Sequence, residues 1–442
     1  MKSKSFYLLS LGCSKNTVDS TSMAELLQRA GYQPTEKAAQ ASVLIVNTCG
    51  FIQPARDESI RELRALARRK RNGQILIAAG CLTQRYREWV LQQVPGIDGI
   101  IGTRRWMDIL DVIEKVRQSP PQPVYHIPED GIIGRDEKGV LRAAVQGSSA
   151  YLKIADGCRR PCAFCAIPLI KGTLVSRPAE TIVQEAKQLE RQGVQELILI
   201  AQDTTDYGHD LGIRDGLPAL LDDLLKATSI PWIRILYAFP GYVTDRLIEM
   251  MASNPRVLHY LDMPLQHAHP DTLKRMRRPA NVEWVYRTLE KMRSAMPDLA
   301  IRSTFIVGYP GETEEEFQTL LDFLQAVQLD RVGAFTFSFE TGTASEPLGD
   351  LIPAEVKQER LERLMKLQEK ISLQRNQTFI GKRMEVLVEG FDRNLTIGRS
   401  YRDAPEIDGL VFVEGQAPLG SIVPVQISGA LPHDLTAVPI GE

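Results

Sequence analysis

The chain has 442 residues, of which 43% are apolar and 24% charged, ordinary usage for a globular protein that excludes disordered, collagen-like and membrane-bundle classes. Its 53 basic and 55 acidic side chains leave a formal net charge of -2, which argues against a dedicated non-specific nucleic-acid binder, DNA included. A chain this long divides into roughly two to four domains, because single cores rarely grow past about 250–300 residues.

The first residues, MKSKSFYLLSLGC, carry Lys2 and Lys4 before a short apolar run. The run is brief for an export signal, and Ser10 stands where a lipoprotein signal wants an aliphatic residue. It reads as a first buried strand, with a cytoplasmic protein expected. No apolar run approaches the about 20 residues of a membrane span.

Three apolar runs follow one another: FYLLSLGC, VLIVNTC and ILIAAGC. Each reads as a buried strand and each ends on a cysteine, Cys13, Cys49 or Cys81. Helical patterns at 18–30, 54–69 and 83–93 separate them, and a strand at 98–102 and a helix at 106–116 close the series. This alternation predicts an α/β domain, a flavodoxin-like parallel sheet over residues 1–117. Parallel strands bring the three thiols out at one carboxyl edge. A lone cysteine would read as a small buried hydrophobe. Three at equivalent strand ends favour a shared ligand, and an iron–sulfur cluster suits three thiolates better than zinc.

Residues 118–149 read as a linker, with Pro120, Pro121, Pro123 and Pro128 followed by EDGIIGRDEKG. The strand at 151–156 then delivers Cys158, Cys162 and Cys165 in a C-x3-C-x2-C spacing. Zinc would need a fourth ligand, and the nearest histidines are His126 and His209. A cubane cluster on three cysteines leaves one iron open to chelate S-adenosylmethionine. Further strands at 196–201, 232–237, 261–265, 301–307 and 332–339 alternate with helices at 179–191, 217–226, 243–251, 282–295 and 314–327. Six units make an incomplete (β/α)6 barrel over 150–376, with its site at the carboxyl ends of the strands. That mouth collects Gln202-Asp203, Tyr237, Gln266-His267 and Gly308–Glu312, although Gly-Tyr-Pro-Gly is also turn chemistry. The charged helix at 354–377, with Leu361, Leu364, Leu367 and Ile371, reads as a packing helix. From residue 377 onward, KRMEVLVEG, LTIGRSY, GLVFVEG and SIVPVQISG read as a small antiparallel β-barrel of OB-like size. Five basic and nine acidic residues from Thr378 to the end suit a basic partner better than RNA.

These segments together resemble the radical S-adenosylmethionine methylthiotransferases over nearly the whole chain. The resemblance rests on SLGCSKNTVDS, VNTCGFI, YLKIADGCRRPCAFCAIP, LDMPLQHA, RSTFIVGYPGETEEEF and GRSYRDAPEIDG. PLQHA and DAPEIDG point to the branch that modifies an aspartate of small-subunit ribosomal protein twelve, and the last domain resembles a TRAM barrel.

The resemblance implies two [4Fe–4S] clusters. One, on Cys158, Cys162 and Cys165, would cleave S-adenosylmethionine to a radical that takes hydrogen from the aspartate β-carbon. The other, on Cys13, Cys49 and Cys81, would carry the sulfur that a second S-adenosylmethionine methylates. Phe164, Ile167, Gln202, Gln266, Arg302 and Gly308 are the implied cofactor contacts. The partners would be the basic ribosomal protein, an electron donor such as a flavodoxin and a sulfur donor. Two departures stand out: the ending HDLTAVPIGE in place of an aromatic one, and Arg159-Arg160 after the first cysteine of the loop. Rival readings are a transfer-RNA methylthiotransferase, an iron–sulfur binding module that only docks a ribosomal partner, and a zinc protein.

Overall fold

A computed structural model describes residues 4–118, 122–129, 131–133 and 138–440. Lys2, Pro120, Pro121, Asp130, residues 134–137 and Glu442, which entered the sequence reading, lie outside the described residues.

The first six strands are β1 (Ser5–Ser10), β2 (Gln33–Pro34), β3 (Val43–Thr48), β4 (Ile75–Gly80), β5 (Gly99–Gly102) and β6 (Val124–His126). They form one parallel sheet in the order β2-β1-β3-β4-β5-β6. Two apolar clusters cover its faces, one around Ile45 and Ile77 and the other around Val46 and Ala78. This burial on both sides is why the strands read as continuous apolar runs. The edge strands β2 and β6 are too short and polar to show any periodicity. The first helix, Ser14–Arg29, begins four residues before the sequence pattern suggests. Its opening residues Ser14, Lys15 and Asn16 are polar yet buried, because Ser14 and Lys15 meet Tyr237 of the next domain and Asn16 bonds the Leu11 and Thr48 carbonyls of its own.

The second sheet contains β7 (Ala143–Gln146) and β8 (Ser149–Lys153), and a small hairpin pairs β9 (Ala155–Asp156) with β10 (Val175–Ser176). Then come β11 (Glu196–Ile200), β12 (Trp232–Ile235), β13 (Val257–Asp262), β14 (Ala300–Val307) and β15 (Arg331–Thr336). The order β15-β14-β13-β12-β11-β8-β7 gives six parallel strands with β7 antiparallel at the edge, an open (β/α)6 barrel. Leu197, Leu199, Ile233 and Leu261 pack outward against the helices, including Ala179–Arg191 and Gly216–Ala227. Tyr151, Ile198, Trp232 and Tyr260 point into the barrel. The strand expected at 261–265 lies at Val257–Asp262 instead. Pro264 has no N–H to donate, so the ladder breaks there. Met263 and Gln266 still follow β14 through bonds to the Arg302 and Thr304 carbonyls (2.9 and 2.8 Å). In the helix Ala354–Gln377, Leu364 and Ile371 are buried in the barrel's outer core, as expected of a packing helix.

The last domain is a closed barrel of β16 (Arg383–Asp392), β17 (Leu395–Ser400), β18 (Val411–Glu414), β19 (Ile422–Ala430) and β20 (Leu435–Pro439). The divergent ending supplies β20, which pairs with both β18 and β19 and so closes the barrel. The domain docks by its Gly398–Gly409 stretch. Leu387 and Ala404 pack against Tyr151, Ile198, Trp232 and Tyr260 inside the open barrel. Charged pairs seal the joint. Glu196 meets Arg234 at 2.7 Å and Arg399 at 2.6 Å, Arg402 meets Asp330 at 3.0 Å, and Arg331 meets Asp403 at 2.5 Å.

Burial alone would raise the Glu196 pKa, but Arg234 and Arg399 prevail and hold it at about 2. Its folded pKa therefore lies below the about 4.3 of an unfolded chain, so its contribution is complete above that pH and is lost as pH falls toward 2. Glu196→Gln should cost about 3–5 kcal/mol, because two buried guanidinium groups lose their shared partner. Denaturant unfolding checks this, and the variant's acid limb between about pH 4 and 2 should be flatter than that of the parent.

Candidate active site

Two tight backbone approaches help bring Cys13, Cys49 and Cys81 together. Gly12 has φ 95°, and a Cβ there would lie 2.8 Å from the Cys49 Cβ. Gly80, with φ 104°, leaves no room for a side chain beside the Asn47 amide oxygen. Asn16 ties the loops together. Its amide donates to the carbonyls of Leu11 (2.8 Å) and Thr48 (3.0 Å), and its oxygen lies 3.7 Å from the Cys81 Sγ. Asn47 in turn donates to the Asn16 carbonyl at 3.0 Å.

The second trio sits on the loop after β9. Gly157 adopts φ 72° with its α-carbon against the Thr173 carbonyl, and Cys158 N–H donates to the Gly172 carbonyl at 3.0 Å. Arg159 and Arg160, the unusual pair in this loop, are both anchored. Arg159 binds Asp206 at 2.7 Å, and Arg160 binds Asp203 at 2.6 Å while stacking 3.5 Å from the Tyr242 ring centroid. Arg278 donates to the Cys162 Sγ at 3.6 Å and to the Pro264 carbonyl, with its guanidinium over the Phe239 ring.

All six cysteines open onto one cavity of about 320 Å³. Phe164, Ile167, Gln202 and Gln266 line it too, together with Lys15, Asn16, Lys171, Tyr237 and Arg278. Arg302 and Gly308 are not among the lining residues. Arg302 pairs with Asp262 (3.0 Å) and Asp408 (3.4 Å), in the joint to the last domain. Gly308 packs on the Lys357 stem, and its N–H donates to the Glu312 carboxylate. Glu312 also binds His267 at 3.1 Å and Arg360 at 2.9 Å, so the Gly308–Glu312 turn and His267 hold structure together. Tyr237 and Gln266 have φ of 64° and 75°, uncommon for bulky side chains, and both face the cavity.

Among the described residues, no three His, Cys, Asp or Glu side chains converge on a point that would hold a single ion. The thiols surround a void instead, which suits a multi-atom iron–sulfur group. The Gln202 Oε1 is buried without a hydrogen-bond partner among the described residues, so the cavity also offers an acceptor to a polar ligand. Burial pushes the thiols of Cys49 and Cys158 up to about 11 and that of Cys81 to about 12. Cys13 departs from this pattern. Burial would raise its pKa, but Lys15 and the Asn16 N–H outweigh that and lower it. A metal must displace these protons, so loading is coupled to pH.

A buried ionic knot fixes the two trios relative to one another. Asp19, from the first helix, pairs with Lys153, with Arg142 at 2.9 Å and with Lys171 at 3.2 Å. Asp156, two residues before Cys158, binds the same three cations. Burial works against the Lys171 charge, but Asp19 and Asp156 prevail and raise its pKa. The residues that the cysteine motifs did not bring forward were Lys15, Asn16, Lys171 and Arg278. The first two directly follow Cys13-Ser14, and Lys171 ends the CAIPLIK run, so adjacency was the available signal.

Three family models match the chain: the radical SAM superfamily over residues 152–324, the uncharacterized protein family UPF0004 over 5–102, and the TRAM domain over 380–440. Among solved structures, the radical S-adenosylmethionine methyltransferase TsrM of Kitasatospora setae shares the fold, with a TM-score of 0.56 at 14% identity over 78% of this chain and 77% of that one. The cobalamin-dependent S-adenosylmethionine radical enzyme OxsB gives 0.53 at 12% identity, over 81% and 56%. The fold around the thiol-lined mouth is thus the one shared with radical S-adenosylmethionine enzymes. At the level of sequence, the ribosomal protein uS12 methylthiotransferase RimO of Chloroflexus aurantiacus is 48% identical, over 97% of this chain and 98% of its own. The protein of the same name from Synechocystis is 46% identical over 98% and 97%. The chain belongs to this methylthiotransferase family.

Asp19→Asn should leave three buried cations facing one carboxylate, at a cost of about 3–5 kcal/mol. The expected result is a lowered thermal midpoint with faster proteolysis between the first two domains. An unchanged midpoint would show that the knot does not carry the joint.

Proposed function

We propose that this chain transfers a methylthio group to ribosomal protein uS12, as the names of its relatives suggest, and that the acceptor is the β-carbon of an aspartate. The carrying observation is that both cysteine trios open onto one cavity. Cys158, Cys162 and Cys165 would hold one [4Fe–4S] cluster and Cys13, Cys49 and Cys81 a second; when bound they supply reductive cleavage of S-adenosylmethionine and a sulfur-carrying site. The β-carbon is unactivated, so the chain's own task is placement and exclusion of water. Phe164 and Ile167 offer apolar surface for an adenine. Gln202 offers an unpaired acceptor. Arg278 offers a guanidinium that has no carboxylate partner among the described residues and stands beside Cys162, suited to the cofactor's carboxylate. Gln266 completes the set, and Arg302 and Gly308 are left out of it.

The last barrel exposes Glu385, Glu389, Asp392, Glu406 and Glu414 against Lys382, Arg383 and Arg393. That balance favours docking of a basic protein over a nucleic acid. A flavodoxin-like electron donor and a separate sulfur donor complete the reading. Domain limits of 1–117, 118–149, 150–376 and 377–442 belong to it as well, with β6 and β7 extending the two flanking sheets into the linker.

The test is anaerobic reconstitution with S-adenosylmethionine, sulfide and reductant, offering a uS12 loop peptide and transfer RNA in parallel. Mass spectrometry should find one added methylthio group on the peptide aspartate and none on the RNA. Gain on the RNA alone would overturn the substrate assignment. Cys158→Ala should abolish deoxyadenosine formation, whereas Cys49→Ala should abolish methylthio transfer with deoxyadenosine still formed.

A further inference from the structure

Lys15 is only 8% exposed, and it lines the cavity. Its Nζ lies 3.0 Å from the Tyr237 ring centroid. No carboxylate, carbonyl or hydroxyl pairs with it among the described residues. Its neighbours are different: Lys171 and Lys153 share Asp19 and Asp156, and Arg160 is held by Asp203. Apart from the Cys13 thiol, whose ionised form it favours, Lys15 faces no anionic group among the described residues, and a buried ammonium persists where a partner arrives with a ligand.

Arg278 is the other lining cation without a carboxylate partner among the described residues, and it stands against Cys162. Lys15 stands on the chain two residues after Cys13. Its site is built rather than incidental. Tyr237 is held at φ 64° by hydrogen bonds from the Thr204 N–H to its carbonyl (3.0 Å) and from its own N–H to Asp262 (3.3 Å). The Tyr237 hydroxyl also meets the Ser14 Oγ at 3.3 Å across the domain boundary. A strained aromatic, locked from two domains, therefore fixes the ammonium in place.

We infer that Lys15 receives the side-chain carboxylate of the target residue, and so makes the enzyme select aspartate; this rests on the functional reading above. The reacting β-carbon is bonded to that carboxyl carbon. Anchoring the carboxylate therefore places the β-carbon near the Cys13 trio, where the sulfur is to be delivered. Asparagine has the same shape without the charge. Glutamate sets its β-carbon one bond farther from the anchor.

The test uses the cluster-reconstituted full chain and fluorescein-labelled uS12 loop peptides carrying aspartate, or asparagine in its place, with binding read by anisotropy. The parent should bind the aspartate peptide about tenfold more tightly. Lys15→Met should bind both peptides alike, at the asparagine level, and Lys15→Arg should restore part of the preference. Equal binding of the two peptides by the parent would overturn the assignment without recourse to any variant. A full aspartate preference in Lys15→Met would overturn it too. In that case Lys15 merely balances the Cys13 thiolate, or serves the cofactor's carboxylate, which a loss of S-adenosylmethionine affinity in the variant would show. Turnover of the aspartate peptide by the parent, scored in parallel, separates failure of this assignment from failure of the parent reading.

Discussion

Two carboxylates and three cations, shut away from water at the junction of the first two domains, set the geometry on which everything else depends. Asp19 comes from the helix that Cys13 begins, and Asp156 lies just before the Cys158 loop. Arg142, Lys153 and Lys171 hold both at once. In a medium of low polarity such a cluster tolerates little displacement, because moving any member exposes an uncompensated charge. The same contacts that join the domains thus determine how far apart the two thiol trios stand. A second link supports the first from another side: Glu340, beyond β15, binds Arg56 and Arg85 of the first domain.

The architecture was legible in the sequence wherever burial was complete. The strands ending at Cys13, Cys49 and Cys81 are covered on both faces, so their apolar runs were unbroken and their thiols had to share an edge. The Cys158–Cys165 loop was legible from spacing alone. What stayed hidden depended on contacts across large separations. Lys171 looks like the end of an ordinary apolar turn until Asp19 and Asp156 are placed beside it. Arg302 looks like a mouth residue until Asp262 and Asp408 claim it. The terminal strand Leu435–Pro439 carries a proline and a short apolar pattern, and only its pairing with β18 and β19 reveals it.

The joint between barrel and last domain gives the DAPEIDG motif a physical meaning. Its aspartates are spent on the arginines of the barrel: Asp403 on Arg331 and Asp408 on Arg302. Ala404 fills the apolar floor between them. The motif that best marked the branch in the sequence is therefore largely a plug, with its Glu406 left exposed beside Glu385, Asp392 and Glu414 of the strands.

The ionic knot also bears on how such a protein can change over generations. Asp19 and Lys171 are separated by 152 residues, yet they touch. A substitution at either must be answered at Arg142, Lys153 or Asp156 before the chain regains balance. The two thiol-bearing halves are in that sense inherited as one piece. A first domain taken from a distant relative would bring its cysteines along, and would still fail to seat them unless it also carried the acid that these three cations expect.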